Sequence, residues 1–236
     1  MEVLKALREF FASKDLDGSA MAYSGGLDSS VLLALCPKSV IPYTLGDQGS
    51  RDFFNSMDGA MKLGFRPVSI PLSSVDLVKY VELVRSIDPG IRKKDLGYEV
   101  VLAILLDHVR EDKVVTGQGA DEIFYGYSIF RENPNMDNSL HMNKLYRETL
   151  PREQAIAEHY GKKLITPYLS SRIAEIMAGM GREANFAGEC NKAILRSAAI
   201  LAGIPQDIVE RRKTAAQYGS GLMKKLKSLP LWSTLP

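Results

Sequence analysis

Seven consecutive residues, Ser24-Gly25-Gly26-Leu27-Asp28-Ser29-Ser30, combine the groups that hold a polyphosphate. Glycines let backbone N–H groups approach an anion closely, serine hydroxyls add donors, and a following helix N-terminus brings unpaired N–H groups and the positive end of its dipole. A carboxylate inside an anion site makes sense when a divalent cation bridges it to phosphate oxygens. Asp28 therefore points to a magnesium–polyphosphate complex. By composition alone the run reads equally well as a tight turn with a first-turn helix acid, and it departs from both the Walker A and the G-x-G-x-x-G patterns. A second run, Thr116-Gly117-Gln118-Gly119-Ala120-Asp121-Glu122, again has glycines ahead of acids. On its own it is a helix start, but opposite the first loop across a sheet, Asp121 would complete the magnesium site begun by Asp28.

Positioning those loops is the task of the elements around them. Ser19 to Tyr23 is a short apolar run that leads into the first loop, and helical character resumes from Asp28 to Leu35. The unit recurs with a strand at Val40 to Leu45, a helix at Asp52 to Leu63 and a strand at Arg66 to Ile70. Helices follow at Val75 to Ile87 and Tyr98 to Val109, then a strand at Lys113 to Thr116 and a helix at Ala120 to Phe130. Strands alternating with helices imply an α/β fold, with a doubly wound, mostly parallel sheet covered on both faces. From about Asn143 the pattern is almost wholly helical. The expectation is one domain over 1–236, with an α/β nucleotide-binding core at 1–130 and a helical part at 131–236.

Composition removes other classes. The 236 residues are 45% apolar and 25% charged, which fits a globular chain rather than a disordered one. The longest apolar run, Val100 to Leu106, is far too short to span a membrane, and Glu2, Lys5 and Arg8 interrupt any leader-like N-terminus. Cys36 and Cys190 make neither a disulfide framework nor a metal-type spacing, so a cytoplasmic location is expected. Charge is uneven: residues 1–210 carry a net −4 and residues 211–236 a net +6. A basic end suits a polyanion, but six charges are few for an RNA surface.

The first run resembles the S-G-G-x-D-S loop of the N-type ATP pyrophosphatases, which include the GMP, NAD, argininosuccinate, asparagine and β-lactam synthetases and several tRNA-modifying enzymes. The second run, continued through Ile123-Phe124-Tyr125-Gly126-Tyr127, resembles the G-E-G-x-D-E-x-F-x-G-Y segment of asparagine and β-lactam synthetases. Arg152, Gly161 and Pro167-Tyr168-Leu169 are similar to that family's R…G…P-F-L-D pattern, with Ser170 in place of Asp and Lys163 in place of Glu. Lys192 to Arg196, Pro205, Arg211-Arg212-Lys213 and Gln217 to Gly221 look like its C-terminal stretch. The resemblance, to the synthetase domain of the asparagine synthetase family, covers residues 18 to 221 and implies an adenine-nucleotide α-hydrolase-like (ATP pyrophosphatase) topology.

What the resemblance implies is an AMP-forming ATP-dependent ligase. A substrate carboxylate, aspartate being one candidate, attacks the α-phosphorus of ATP; pyrophosphate leaves, and ammonia then displaces AMP. Ser24, Gly25, Gly26, Ser29 and Ser30, with Gly117, would hold pyrophosphate and ATP; Asp28 and Asp121 would hold Mg2+; Thr44, Leu45 and Gly46 would meet adenosine. Lys213 would be the catalytic lysine, with Gln118, Asp121 and Glu122 around the reacting centre, and Arg211 and Arg212 would face phosphate, leaving Lys224, Lys225 and Lys227 as a solvated helix face. Two departures qualify this. Gln118 stands where the family has Glu, and an amide orients but does not act as a base, leaving Glu122, Glu189 or the substrate to supply one. Glu2 stands where glutamine-dependent relatives have their Cys nucleophile, and the first strand by residue 19 leaves no room for a glutaminase, so free ammonia or a separate glutaminase subunit is expected. Two other readings stay open: an adenylating ligase for another acceptor, either β-lactam-type cyclisation or tRNA modification, and an ATP-binding protein without turnover.

Overall fold

The structure is a computed structural model that describes residues 2–188, 190–211 and 215–234. Its centre is a parallel sheet whose five strands are β1 (Ala20–Ala22), β2 (Ile41–Leu45), β3 (Val68–Ile70), β4 (Lys113–Val115) and β5 (Lys163–Ile165), in the order β3-β2-β1-β4-β5. Ala20 pairs with Ile41 on one side and Val114 on the other, and Met21 with Pro42 and Val115. Because successive strand residues point to opposite faces, Met21 and Val115 enter one core and Ala20 and Val114 the other.

Helices cover both faces. On the first side lie α1 (Glu2–Ala12), α2 (Leu27–Leu35) and α3 (Arg51–Lys62), whose Leu7, Leu32, Leu33 and Ala60 are fully buried. On the second lie α4 (Leu77–Ile87) and α5 (Lys93–His108), which contribute Val81, Val84, Leu96, Val100 and Ile104. Each such side chain taken out of water contributes about 1.5–3 kcal/mol. The doubly wound α/β expectation holds. Among the described residues no helix is long and apolar enough to cross a membrane.

Two local expectations are corrected. The helix read at Ala120 to Phe130 is two short helices, α6 (Ala120–Ile123) and α7 (Ile129–Glu132). Tyr125 between them takes a left-handed conformation at φ 53. The second half is mostly helical, as expected: α8 (Ser139–Lys144) runs through a π-turn at Leu145–Thr149 into α9 (Leu150–His159), and α10 (Ser171–Met180), α11 (Ala193–Leu201), α12 (Gln206–Val209), α13 (Ala216–Gly219) and α14 (Leu222–Lys227) follow. It nonetheless returns β5 to the sheet beside β4, with Val115 opposite Ile165, and adds a hairpin of β6 (Phe186–Ala187) and β7 (Cys190–Asn191). These strands are two or three residues long, too short to show a period-2 pattern.

Candidate active site at the ends of β1 and β4

The chain leaves β1 toward β2 on one side and, later, β4 on the other, so the sheet order reverses beside β1. Such a reversal opens a crevice at the strands' carboxyl ends, where ligands bind in open α/β sheets. Both glycine-containing loops end there. Gly25, at φ 72, is packed so closely on the backbone of Asn55 and Ser56 that a Cβ would collide with it. This brings the loop down against α3. Gly26 precedes α2 and offers no side chain to cap its first turn, leaving the helix N-terminus available to an anion. The Ser24 and Ser29 hydroxyls lie 3.4 Å apart and Ser29 donates to the Gly26 carbonyl at 3.2 Å. Ser30 is buried against the Tyr23 hydroxyl at 3.1 Å. The loop is anchored by Arg211, whose Nη1 donates to the carbonyls of Gly25 at 3.0 Å and Asn55 at 2.6 Å and whose Nη2 meets Asp58. Arg211 was expected to face phosphate; its guanidinium is committed to the loop backbone and an acid instead.

Asp28 and Asp121 converge from the two loops on one cation, the ammonium of Lys192. Its Nζ is 2.7 and 2.6 Å from the two Asp28 oxygens and 2.7 Å from Asp121 Oδ1. Lys192 is 4% exposed. Burial disfavours its charge, but Asp121 and Asp28 outweigh that and hold its pKa above the ordinary value. The arrangement is built from strained backbone, since Lys192 at φ 59 and Tyr125 at φ 53 are both left-handed without being glycine. Asn191 ties them together, its Nδ2 donating to the carbonyls of Tyr125 and Tyr127 at 2.8 and 2.9 Å. Gly126 completes the fit, because a Cβ there would run into Asp121 and the Lys192 stem.

A second charged group lies beside Gln118 and centres on Glu153. The Gln118 amide donates to Glu153 Oε1 at 2.6 Å, so a carboxylate from α9 faces that amide. Burial raises the Glu153 pKa well above the carboxylate range, and Glu99 and Glu122 add to it. Burial also raises Glu99, to about 7, against the pull of Arg152, which bonds it at 2.8 Å. Glu122 is buried and accepts from the Tyr127 hydroxyl at 2.6 Å; its pKa is raised by burial first. Thr44, Leu45 and Gly46 lie buried at the end of β2, next to the β1 loop, with the Gly46 N–H bound to the Ile70 carbonyl at 3.0 Å. Gly117 approaches Asp28 closely enough that a Cβ would touch it at 3.6 Å.

The fold thus gathers the residues of both loops, while Lys213, Arg212 and Glu189 lie outside the described residues. Sequence reasoning assigned no role to Lys192 or Glu153. Lys192 belonged to a matched stretch without a distinguishing pattern, and Glu153 stands beside the matched Arg152. Neither neighbourhood signals a partner far along the chain.

The chain is 26% identical over 253 residues to "Putative asparagine synthetase (glutamine-hydrolyzing) 1" of Methanocaldococcus jannaschii, covering 88% of this chain and 47% of that protein. It is 24% identical over 222 residues to the asparagine synthetase (glutamine-hydrolyzing) of Gallus gallus, covering 86% of this chain and 40% of that one. The chain therefore spans less than half the length of these relatives. Among solved structures, a "predicted subunit of tRNA methyltransferase" from M. jannaschii aligns over 82% of this chain and 92% of its own, with a TM-score of 0.39 and 18% identity. The U34-tRNA thiolase NcsA from Methanococcus maripaludis aligns over 97% and 80%, with a TM-score of 0.39 and 15% identity. The Asparagine synthase family model matches residues 20–145 and 136–229, taking in both loops and the converging acids, and the chain belongs to that family.

Proposed function

We propose that the protein is an ATP-dependent, AMP-forming carbon–nitrogen ligase that adenylates a small carboxylate and passes it to ammonia. The observation that carries this reading is the meeting of Asp28 and Asp121, from two separate loops at the sheet's reversal, around a single positive charge. Two carboxylates, each still partly exposed, suit a magnesium ion that keeps its remaining positions for phosphate and water. A cage of three or more acidic, His or Cys ligands is absent among the described residues. Asp28 and Asp121 would hold the metal, which supplies charge neutralisation on the phosphates when bound.

The chain's own groups divide the remaining work. The Ser24–Ser30 loop and the α2 N-terminus bind the β- and γ-phosphates, and the backbone of Thr44, Leu45 and Gly46 borders the adenosine. A carboxylate oxygen of the substrate forms a bond to the α-phosphorus as the bond to the bridging oxygen breaks, releasing pyrophosphate. Ammonia then attacks the acyl carbon and AMP leaves. The proton lost by nitrogen needs a base that Gln118 is unable to be, and Glu153 stands hydrogen-bonded to it. Gln118 orients and Glu153 accepts. Lys213, by its place in the matched stretch, neutralises charge on the α-phosphate.

Pyrophosphate exchange into ATP across a panel of small carboxylic acids, aspartate included, tests the reading without a nitrogen donor. Acid-dependent exchange, with AMP and pyrophosphate as products once ammonia is added, is expected. ADP and phosphate as products, or binding of ATP with no exchange for any acid, would overturn it. Of the three tail lysines read as a solvated helix face, Lys225 pairs with Asp47 at 3.0 Å, while Lys224 and Lys227 are exposed.

A further inference from the structure

The cation between Asp28 and Asp121 in this structure belongs to the protein. Lys192 reaches it from the start of α11, with a left-handed backbone, a fully enclosed stem and three contacts of 2.6–2.7 Å to the two carboxylates. Nothing about such a geometry is incidental: a lysine is among the side chains least often buried, and a non-glycine residue keeps a left-handed conformation only where its surroundings over-determine it. Asn191 fixes the neighbouring turn, and Gly126 leaves the space the lysine stem occupies.

We propose that Lys192 is the resident cation of the metal seat, so that a divalent ion enters only together with the nucleotide's polyphosphate, which draws the ammonium off the carboxylates. The inference rests on the reading that Asp28 and Asp121 serve the metal of Mg-ATP. Its logic is charge balance. Two carboxylates and one ammonium leave a net −1, which is too little to recruit a strongly hydrated dication past a positive group already seated there. A tetra-anionic triphosphate arriving beside the loop reverses this, because its oxygens offer both the metal and the ammonium new partners. Without nucleotide the protein thereby avoids two facing, partly buried carboxylates and also avoids trapping metal.

Two measurements test this, and the first needs no nucleotide. Electron paramagnetic resonance titration of the nucleotide-free protein with Mn2+ should show at least tenfold tighter binding to Lys192→Met than to the wild type, lost again in Lys192→Met with Asp28→Asn. Mg2+ should raise the melting temperature of Lys192→Met and leave the wild type unmoved. Equal Mn2+ affinity of wild type and Lys192→Met overturns the proposal. The second uses only the wild-type chain, so a variant that fails to fold does not block it: the 15N-labelled lysine ammonium resonance of Lys192 should ignore 10-fold excess Mg2+ and shift with Mg-ATP. A shift with Mg2+ alone, or none when calorimetry shows Mg-ATP bound, overturns the proposal. Failure of Mg-ATP to bind at all refutes the synthetase reading instead, and the Mn2+ titration then decides on Lys192 by itself.

Discussion

At the residue scale the consequential substitution is Gln118, because under the proposed function it separates orientation from proton transfer. A base in the family position would have to hold its own substrate geometry and its proton; in the proposed reading an amide does the first and Glu153, 2.6 Å away, does the second. General-base catalysis contributes typically 10²–10⁴-fold, so Glu153→Gln should lower amide formation by about 100-fold or more while leaving acid-dependent pyrophosphate exchange within a few-fold. Combining it with Gln118→Glu returns a carboxylate to the pair and should recover part of the loss, which a merely structural role for Glu153 would not allow. The sign with pH follows from its raised pKa, set first by burial. A base must be deprotonated, so amide formation should fall as pH drops through that raised value while exchange does not follow it. Parallel pH profiles for the two half-reactions would refute the assignment. The Ser24–Ser30 loop, the candidate phosphate site, stood out in sequence because its chemistry is contiguous. Glu153 was not, because its partner lies 35 positions earlier and only the packing of α9 against the β4 loop joins them.

At the scale of elements, the segment after α6 shows why a helical pattern in sequence does not guarantee a helix. Ala120 to Phe130 has apolar spacing suited to one helix, yet the chain turns at Tyr125, where the Gly126 N–H donates back to the Asp121 carbonyl at 2.7 Å and Asn191 takes the carbonyls of Tyr125 and Tyr127. A tertiary hydrogen-bond set outweighs local propensity, and its result is to present Asp121 to Lys192 at the end of β4. Gly126→Ala puts a methyl group into Asp121 and the Lys192 stem. Overpacking of this kind costs about 1–3 kcal/mol, so the variant should melt at lower temperature. It should also bind Mg-ATP at least tenfold more weakly by calorimetry. Unchanged nucleotide affinity would mean that the turn does not position Asp121. The buried Tyr168 contributes from the other side, its hydroxyl donating to the Asp28 carbonyl at 2.8 Å and its ring packing edge-on against Phe124 at 5.5 Å. That segment was matched by its Pro167-Tyr168-Leu169 pattern, but its bond to the Ser24–Ser30 loop 140 positions away was not readable from it.

For the whole molecule, the question posed by the charge asymmetry is how a basic C-terminal stretch sits on an acidic body. It folds back over helices from both faces of the sheet: Arg211 bonds the Gly25 carbonyl of the Ser24–Ser30 loop, α13 lies on α3 and α5, and Lys225 reaches Asp47, which also accepts the Ser73 N–H at 2.7 Å. This closure buries Asp52 at the start of α3 to 4% exposure, with its carboxyl against the backbone of Gly219 so tightly that no Cβ would fit there. Burial pushes the Asp52 pKa up to about 7, opposed only in part by Arg51. An acid whose pKa is raised on folding keeps its proton in the native state between its ordinary value and the raised one, while the unfolded chain has lost it. Stability therefore declines as pH rises from about 4 to about 7, and the whole cost, up to roughly 4 kcal/mol, is present above that window. Asp52→Asn removes the titration, so its stability relative to wild type should improve between pH 4 and pH 8 by roughly 1–4 kcal/mol, each kcal/mol being worth about 2–4 °C in melting temperature for a chain of this size. A wild-type-minus-variant difference that stays flat over that range would place the ionised Asp52 carboxylate in the folded protein at neutral pH, and with it a looser contact between α3 and the C-terminal stretch.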